Sequence, residues 1–167
     1  VLERIASVNG EAPALADIRL SVIPYDLVTH KPVNSLEEAA QIRGVEPRSV
    51  IKTMLVRRRA DDYFFVLVPG DRMIAWPKLR ELLEWPRMSL AVPEDALAAT
   101  GYVSGSITPF ASEHDWPVIA DTRVGPGVVS IGAGAPGMSL TMDSRQLLEI
   151  LDARVADVTR GLQDEEA

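Results

Sequence analysis

The sequence predicts an α/β fold, with one mixed, largely antiparallel sheet and short helices packed around it. Three observations lead there. Strand-forming and helix-forming stretches are interleaved without the regular strand-helix-strand rhythm of a doubly wound sheet. Two β-rich runs, Val50 to Arg57 and Tyr63 to Pro69, flank an Arg-Ala-Asp-Asp turn and read as a hairpin. The 167 residues are enough to bury a core and suit one domain, so 1–167 is expected to be a single unit.

The elements follow in order. Ile18 to Tyr25 reads as a strand with rough alternation, ended by Pro24. Ser35 is a good N-cap with Glu38 three residues later, a capping box, and Gly44 stands where a left-handed residue closes a helix. After the hairpin, Pro77 and Pro93 suit first helical positions, opening short helices over Lys78 to Leu83 and Glu94 to Ala99, the second closed by Gly101. Strands are expected at Val118 to Asp121, Val128 to Gly132 and Met138 to Met142. A last helix, capped by Asp143 or Ser144, is expected to carry Leu147, Leu148, Leu151, Val155 and Val158 on one apolar face. The acidic tail from Gln163 to Ala167 is expected to fray.

Composition narrows the chemistry. The absence of cysteine removes disulfides, thiolate nucleophiles and cysteine-based zinc sites, and two histidines, His30 and His114, argue against a multi-histidine metal centre. No apolar run approaches the roughly 20 residues that cross a bilayer. Val1 to Val8 alternate apolar with charged residues rather than forming a signal segment, so a cytoplasmic protein is expected. The net charge of −7 opposes nucleic-acid binding at first sight. Its distribution does not: Arg43 to Arg87 holds ten basic and six acidic residues, which permits one basic face on an acidic protein.

Lys52 is the most unusual residue, a charge inside an apolar strand on the face shared with Val50, Met54 and Val56. It either snorkels to solvent from a strand edge or holds a ligand. Gly132-Ala-Gly-Ala-Pro-Gly137 is a glycine-dense turn whose amides can approach a ligand, or a plain hairpin turn. It precedes a strand and lacks Gly-Lys-Ser/Thr, so it is neither a dinucleotide fingerprint nor a triphosphate loop. Gly101 to Phe110 is a loop with two aromatics and several hydroxyls, suited to a pocket wall. Tyr102 and Phe110 suit either base stacking or packing under the loop. His30, in an exposed-looking Thr-His-Lys-Pro turn, and His114, among charged neighbours, read as structural and surface residues.

In order, the chain carries His30-Lys-Pro-Val with Leu-Glu-Glu-Ala-Ala, Gly-Val-Glu-Pro-Arg-Ser-Val-Ile-Lys-Thr-Met-Leu-Val, Val-Pro-Gly-Asp-Arg, Thr-Gly-Tyr-Val-Ser-Gly-Ser-Ile-Thr-Pro-Phe and Gly-Ala-Gly-Ala-Pro-Gly. This series resembles the YbaK/prolyl-tRNA synthetase insertion-domain family over about residues 23–158. The resemblance implies that family's editing fold and hydrolysis of the ester joining an amino acid to the 3′ end of tRNA, without metal or organic cofactor. It implies a catalytic role for Lys52. It places substrate contact on Gly101, Tyr102, Val103, Ser104, Gly105, Pro109 and Phe110, on Gly134 and Gly137, and on His30 and Ser139. Expected partners are the aminoacyl end of tRNA, with tRNA(Pro) foremost, and prolyl-tRNA synthetase; Arg57, Arg58, Arg59 and Arg72 are the expected tRNA contacts. Two positions depart from the pattern: Ala111 replaces a glycine after Pro-Phe, and Ser139 stands where some members are acidic. A non-catalytic aminoacyl-tRNA or synthetase-binding module, and a small-molecule ester hydrolase, are the competing readings.

Overall fold

Capped helices and strand-forming runs follow one another in the computed structural model, which describes residues 11–164. The order is β1 (Asp26–Thr29), α1 (Leu36–Arg43), β2 (Val50–Arg59), β3 (Asp62–Pro69), β4 (Arg72–Ile74), α2 (Trp76–Leu83), β5 (Ser89–Leu90), α3 (Pro93–Thr100), β6 (Val118–Asp121), β7 (Val128–Gly132), β8 (Met138–Asp143), α4 (Ser144–Ile150), β9 (Arg154–Ala156) and β10 (Thr159–Gly161). Tyr63 to Val68 of β3 are all buried, so this strand sits inside the sheet with both faces covered. The main sheet runs β1-β8-β7-β2-β3-β6-β9, with β5 added against β2, while β4 and β10 form a separate ribbon. It is mixed: β7 with β2, β3 with β6 and β6 with β9 are parallel, and the remaining pairs are antiparallel.

Alternation along β3 sorts the core into two layers. Tyr63, Phe65 and Leu67 face a layer with Ile51, Leu55, Val129, Ile131, Leu140 and Leu147. Phe64, Val66 and Val68 face the other, where Val56, Leu79 of α2, Ile119 and Val158 gather. Beyond β2 this second face becomes polar, with Ser130 and Ser139 fully buried.

The hairpin, the two proline-led helices and the strands from Val118 to Met142 form where the sequence predicts them. Ser35 Oγ accepts from the Glu38 amide at 3.1 Å, and Gly44 takes φ 73°. Glu38, however, accepts from the Asn34 amide rather than from Ser35. Two expectations are corrected. Ile18 to Tyr25 is not a strand: Pro13–Ala16 and Ile18–Val22 are 3-10 turns, and β1 starts at Asp26. Asp17 accepts from the Arg19 amide at 3.0 Å, a local bond that competes with a sheet ladder. The last helix stops at Ile150, because Asp152 turns left-handed at φ 49°; Val155 then lies in β9 and Val158 packs in the second layer. Its cap is Asp143, which accepts from the amides of Arg145 and Gln146. At the tail, Gln163 and Asp164 lie in a turn, with Asp164 accepting from the Gly161 amide. Residues 165–167 and the segment Val1 to Val8 lie outside the described residues.

Candidate functional site

A gap in the sheet creates the site. Along one edge β2 is paired twice: Val50 and Ile51 with Ser130 and Ile131 of β7, and Val56 and Arg57 with Leu90 and Ser89 of β5. Lys52 to Leu55 have neither strand beside them, and a cavity of about 390 Å³ opens there. Its lining includes Arg43, Lys52, Thr53, Ser104, Gly105, Ile107 and Gly132.

The register shows which backbone groups face this gap. The Phe65 amide donates to Pro117 O, on the side of β3 away from β2, so Phe65 and its partner Leu55 form a non-hydrogen-bonded pair. Leu55 accordingly presents its carbonyl to the other edge, where it accepts from the Ala91 amide at 2.9 Å. Thr53, two residues earlier and opposite Leu67, has the same orientation. Its N–H and C=O point into the gap. Thr53 Oγ1 is buried without a partner as well.

Lys52 is half-buried, and its Nζ donates to the Arg72 carbonyl at 2.5 Å. Burial lowers its pKa from the ordinary 10.5, and the charge of Asp71 opposes that shift. The ammonium is thus held at the cavity by one carbonyl, with no carboxylate contact among the described residues. Across the same sheet face, Arg43 reaches from the end of α1 to Ser130 Oγ at 3.5 Å, with its Nε buried and unpartnered. Burial lowers its pKa too.

The loop from Gly101 to Phe110 divides. Ser104 and Gly105 lie on the cavity and Val103 is exposed nearby in sequence, while Gly101, Tyr102, Pro109 and Phe110 are buried. Tyr102 OH donates to Phe110 O at 2.6 Å, closing the loop across its base. Asp17 accepts from the Ala111 amide at 2.7 Å and binds Arg19, whose Nη2 donates to Pro109 O at 3.3 Å. Burial pushes the Asp17 pKa up, but these hydrogen bonds outweigh it and hold the carboxyl below its ordinary value. Asp17 and Arg19 are thus loop supports, a role hidden in sequence because their partners lie about ninety residues away.

Beyond Gly132, which lines the cavity, the second glycine turn lies apart from it. A side chain at Gly134 would collide with Tyr102, and one at Gly137 with His30 O, so both glycines permit close packing. His30 is tied to this turn through its amide on Gly137 O, with Nδ1 on Lys31 O. Ser139 is buried on β8 beside Gly132, its Oγ without a partner. Of the four expected tRNA-binding arginines, Arg58 and Arg59 both bind Asp62 at 3.0 Å and lie over the Trp85 ring. Arg72 donates to Thr159 Oγ1 at 2.7 Å, and Arg57 Nε is buried without a partner.

A larger cavity, about 570 Å³, lies by Arg58, Tyr63, Trp116 and Leu151. Arg58 there is already paired with Asp62, so the smaller cavity, with its open backbone and two cations that have no carboxylate contact among the described residues, is the better candidate.

Fold and cavity define a mixed-sheet α/β domain with a cation-bearing cleft at a split in the sheet. The family model described as aminoacyl-tRNA editing domain matches residues 30–150. The chain belongs to the aminoacyl-tRNA editing domain family. It is 36% identical over 83 residues to a proline–tRNA ligase of Thermosipho melanesiensis, covering 49% of this chain and 14% of the ligase. Against the proline–tRNA ligase of Heliobacterium modesticaldum it is 32% identical over 122 residues, covering 72% of this chain and 21% of the ligase. The chain thus spans about a fifth or less of these two relatives' length. Among solved structures, hypothetical protein APE2540 superposes with a TM-score of 0.75 at 29% identity, over 86% of this chain and 96% of that one. A protein proposed as a trans-editing enzyme for prolyl tRNA synthetase has the same fold, with a TM-score of 0.75 at 24% identity, over 82% of this chain and 87% of that one. No helix among the described residues is long and apolar enough to cross a membrane.

Proposed function

We propose that this chain is an aminoacyl-tRNA deacylase that acts in trans, hydrolysing the ester of a small mischarged amino acid such as alanine, cysteine, serine or threonine. The observation that carries this reading is the split in the sheet: an editing-family chain places Lys52, the open Thr53 backbone and the Ser104-Gly105 rim around one cavity. Its likeness to segments of proline–tRNA ligases supports tRNA(Pro) as carrier and prolyl-tRNA synthetase as a working partner.

Ester hydrolysis needs a positioned carbonyl, a delivered water and donors for the developing oxyanion. The Thr53 N–H is such a donor, and the adjacent C=O of the same residue suits the substrate's α-ammonium group. The Gly105 N–H, on a residue that also lines the cavity, is an alternative donor, while the Ser106 N–H is already spent on Val103 O. Lys52 contributes positive charge near the nucleotide end, and water attacks with help from the ribose hydroxyl next to the ester. Selectivity comes from the cavity's limited size; where the walls yield, one methylene counts for only about 1–3 kcal/mol, so firm walls are required. The struts from Asp17, Arg19 and Tyr102 supply that firmness.

Deacylation of tRNAs charged with alanine, cysteine, serine, threonine and proline tests the proposal. Hydrolysis of at least one small mischarged amino acid is expected. Measurable binding with no turnover of any charged tRNA would support a non-catalytic module instead. Turnover of short esters but not of charged tRNA would point to a small-molecule hydrolase.

A further inference from the structure

Arg43 is a second cation on the cavity that ester hydrolysis, as described above, does not use. Arg19 and Arg58 each have a carboxylate partner, Asp17 and Asp62, whereas the Nε of Arg43, like those of Arg57 and Arg160, is buried without a partner, and of these three only Arg43 lines the cavity. Arg43 has only the long 3.5 Å contact to Ser130 Oγ, and no Asp or Glu among the described residues lines the cavity. Its remaining donors are thus available to an incoming anion.

The register fixes where that anion would lie. Ser130 is the partner of Val50, and Lys52 stands two residues further along the same face, about 6.6 Å away along the strand. Gly132, at the matching position on β7, leaves open space: a Cβ there would meet nothing within 4 Å. Two cations, one from α1 and one from β2, beside an unfilled floor at Gly132 suit a tetrahedral anion. In an aminoacyl ester the amino acid's carboxylate is consumed by the bond and its amino group is cationic. The anion left near the ester is the phosphodiester one ribose away.

We propose that Arg43 forms a phosphate subsite that binds the 5′ phosphodiester of the substrate's terminal nucleotide, with Lys52 as the neighbouring charge. This rests on the deacylase reading for its ligand. Arg43 acts as an anchor that sets where the ribose and its ester lie against Thr53, and it takes no part in bond cleavage.

Two measurements separate this proposal from the functional reading. The first needs no turnover: 5′-AMP and adenosine are titrated separately into the protein while the Arg43 Nε–H resonance is followed by NMR. AMP should move that resonance and adenosine should not, and Arg43→Gln should weaken AMP binding about tenfold. An Arg43 signal indifferent to AMP, or equal AMP affinity in the folded variant, overturns the subsite. The second compares cleavage of a 3′-aminoacyl-adenosine with the same ester carrying a 5′-phosphate. The wild-type preference in kcat/KM for the phosphorylated ester should fall about tenfold in Arg43→Gln, mainly through KM, and Arg43→Lys should recover part of it. A preference unchanged by Arg43→Gln also overturns the subsite. Failure of the wild-type protein to cleave either ester or any charged tRNA, alongside AMP binding at Arg43, would instead sink the deacylase reading and leave the phosphate site standing.

Discussion

Lys52 concentrates the functional question at the scale of one residue. Its ammonium costs desolvation and is held by a single carbonyl, so it contributes little favourable folding energy. Lys52→Ala is expected to remove most deacylation with a small change in thermal midpoint. Lys52→Arg should stay impaired, because a planar guanidinium does not fit the place of a compact ammonium against the Arg72 carbonyl. Near-normal turnover in both folded variants would remove Lys52 from the mechanism. Ala111 presents a different strain. It sits at φ 54°, the left-handed region that a Cβ disfavours, at the position where the resembled family carries glycine. Ala111→Gly should therefore stabilise the fold by about 1 kcal/mol, less the entropy glycine adds to the unfolded chain. Urea unfolding of the two proteins checks this, and a destabilised Ala111→Gly variant would show that the strain is offset elsewhere.

Among the elements, β2 is the one whose pairing defines the site. The Thr53 N–H is outside the β2-β3 ladder, whereas Met54, opposite Val66, belongs to the alternate set of residues that bonds β3. Thr53→Pro should thus fold, since proline is tolerated where no ladder bond is lost, and should deacylate poorly for want of the donor. Met54→Pro should fail to fold, as judged by circular dichroism, and a Thr53→Pro variant with full activity would exclude that amide from oxyanion binding. The strut at Asp17 gives an acid signature. Its carboxyl titrates below the ordinary 3.8, so its stabilising effect is complete above that pH and is lost as pH falls through the folded-state value. The gap in unfolding free energy between wild type and Asp17→Asn should hold steady above pH 3.8 and shrink below it. A gap independent of acid would mean that the charge is not what braces the loop. These two elements also show what is legible in the sequence. The hairpin is readable because β-rich runs and a polar turn are local signals, and α1 because its caps lie next to it. Arg19 reads as strand, and Asp17 carries no signal, because their partners Pro109 and Ala111 are distant in sequence. Lys52 stands out as a charge among apolar neighbours, but Thr53 and Arg43 do not. Their significance comes from a gap between β5 and β7 and from a missing carboxylate, both products of the assembled sheet.

For the whole molecule, the balance of charge decides how an acidic protein can approach tRNA. The net charge is −7, yet the stretch from Arg43 to Arg87 is locally basic and brings Arg43 and Lys52 to the cleft. Much of the remaining basic charge is spent internally. Arg58 and Arg59 share Asp62, and Arg72 straps β4 to β10 through Thr159. Reversing all four arginines, Arg57, Arg58, Arg59 and Arg72, would set acids against Asp62 and break the strap, so weaker binding could reflect a damaged fold. Neutralising Arg57 and Arg59 alone is the cleaner test, since Arg58 still pairs with Asp62 and Arg72 is untouched. If both meet phosphates, tRNA affinity should fall as salt rises, and the slope of log K against log salt should drop by about 0.7–0.9 for each contact removed in Arg57→Gln/Arg59→Gln. The single-turnover cleavage rate at saturating tRNA should hold, because these side chains are not among the residues lining the cleft. An unchanged slope in the folded double variant would mean that tRNA does not cross the β2-β3 turn, leaving the cations of the cleft itself as the main phosphate contacts.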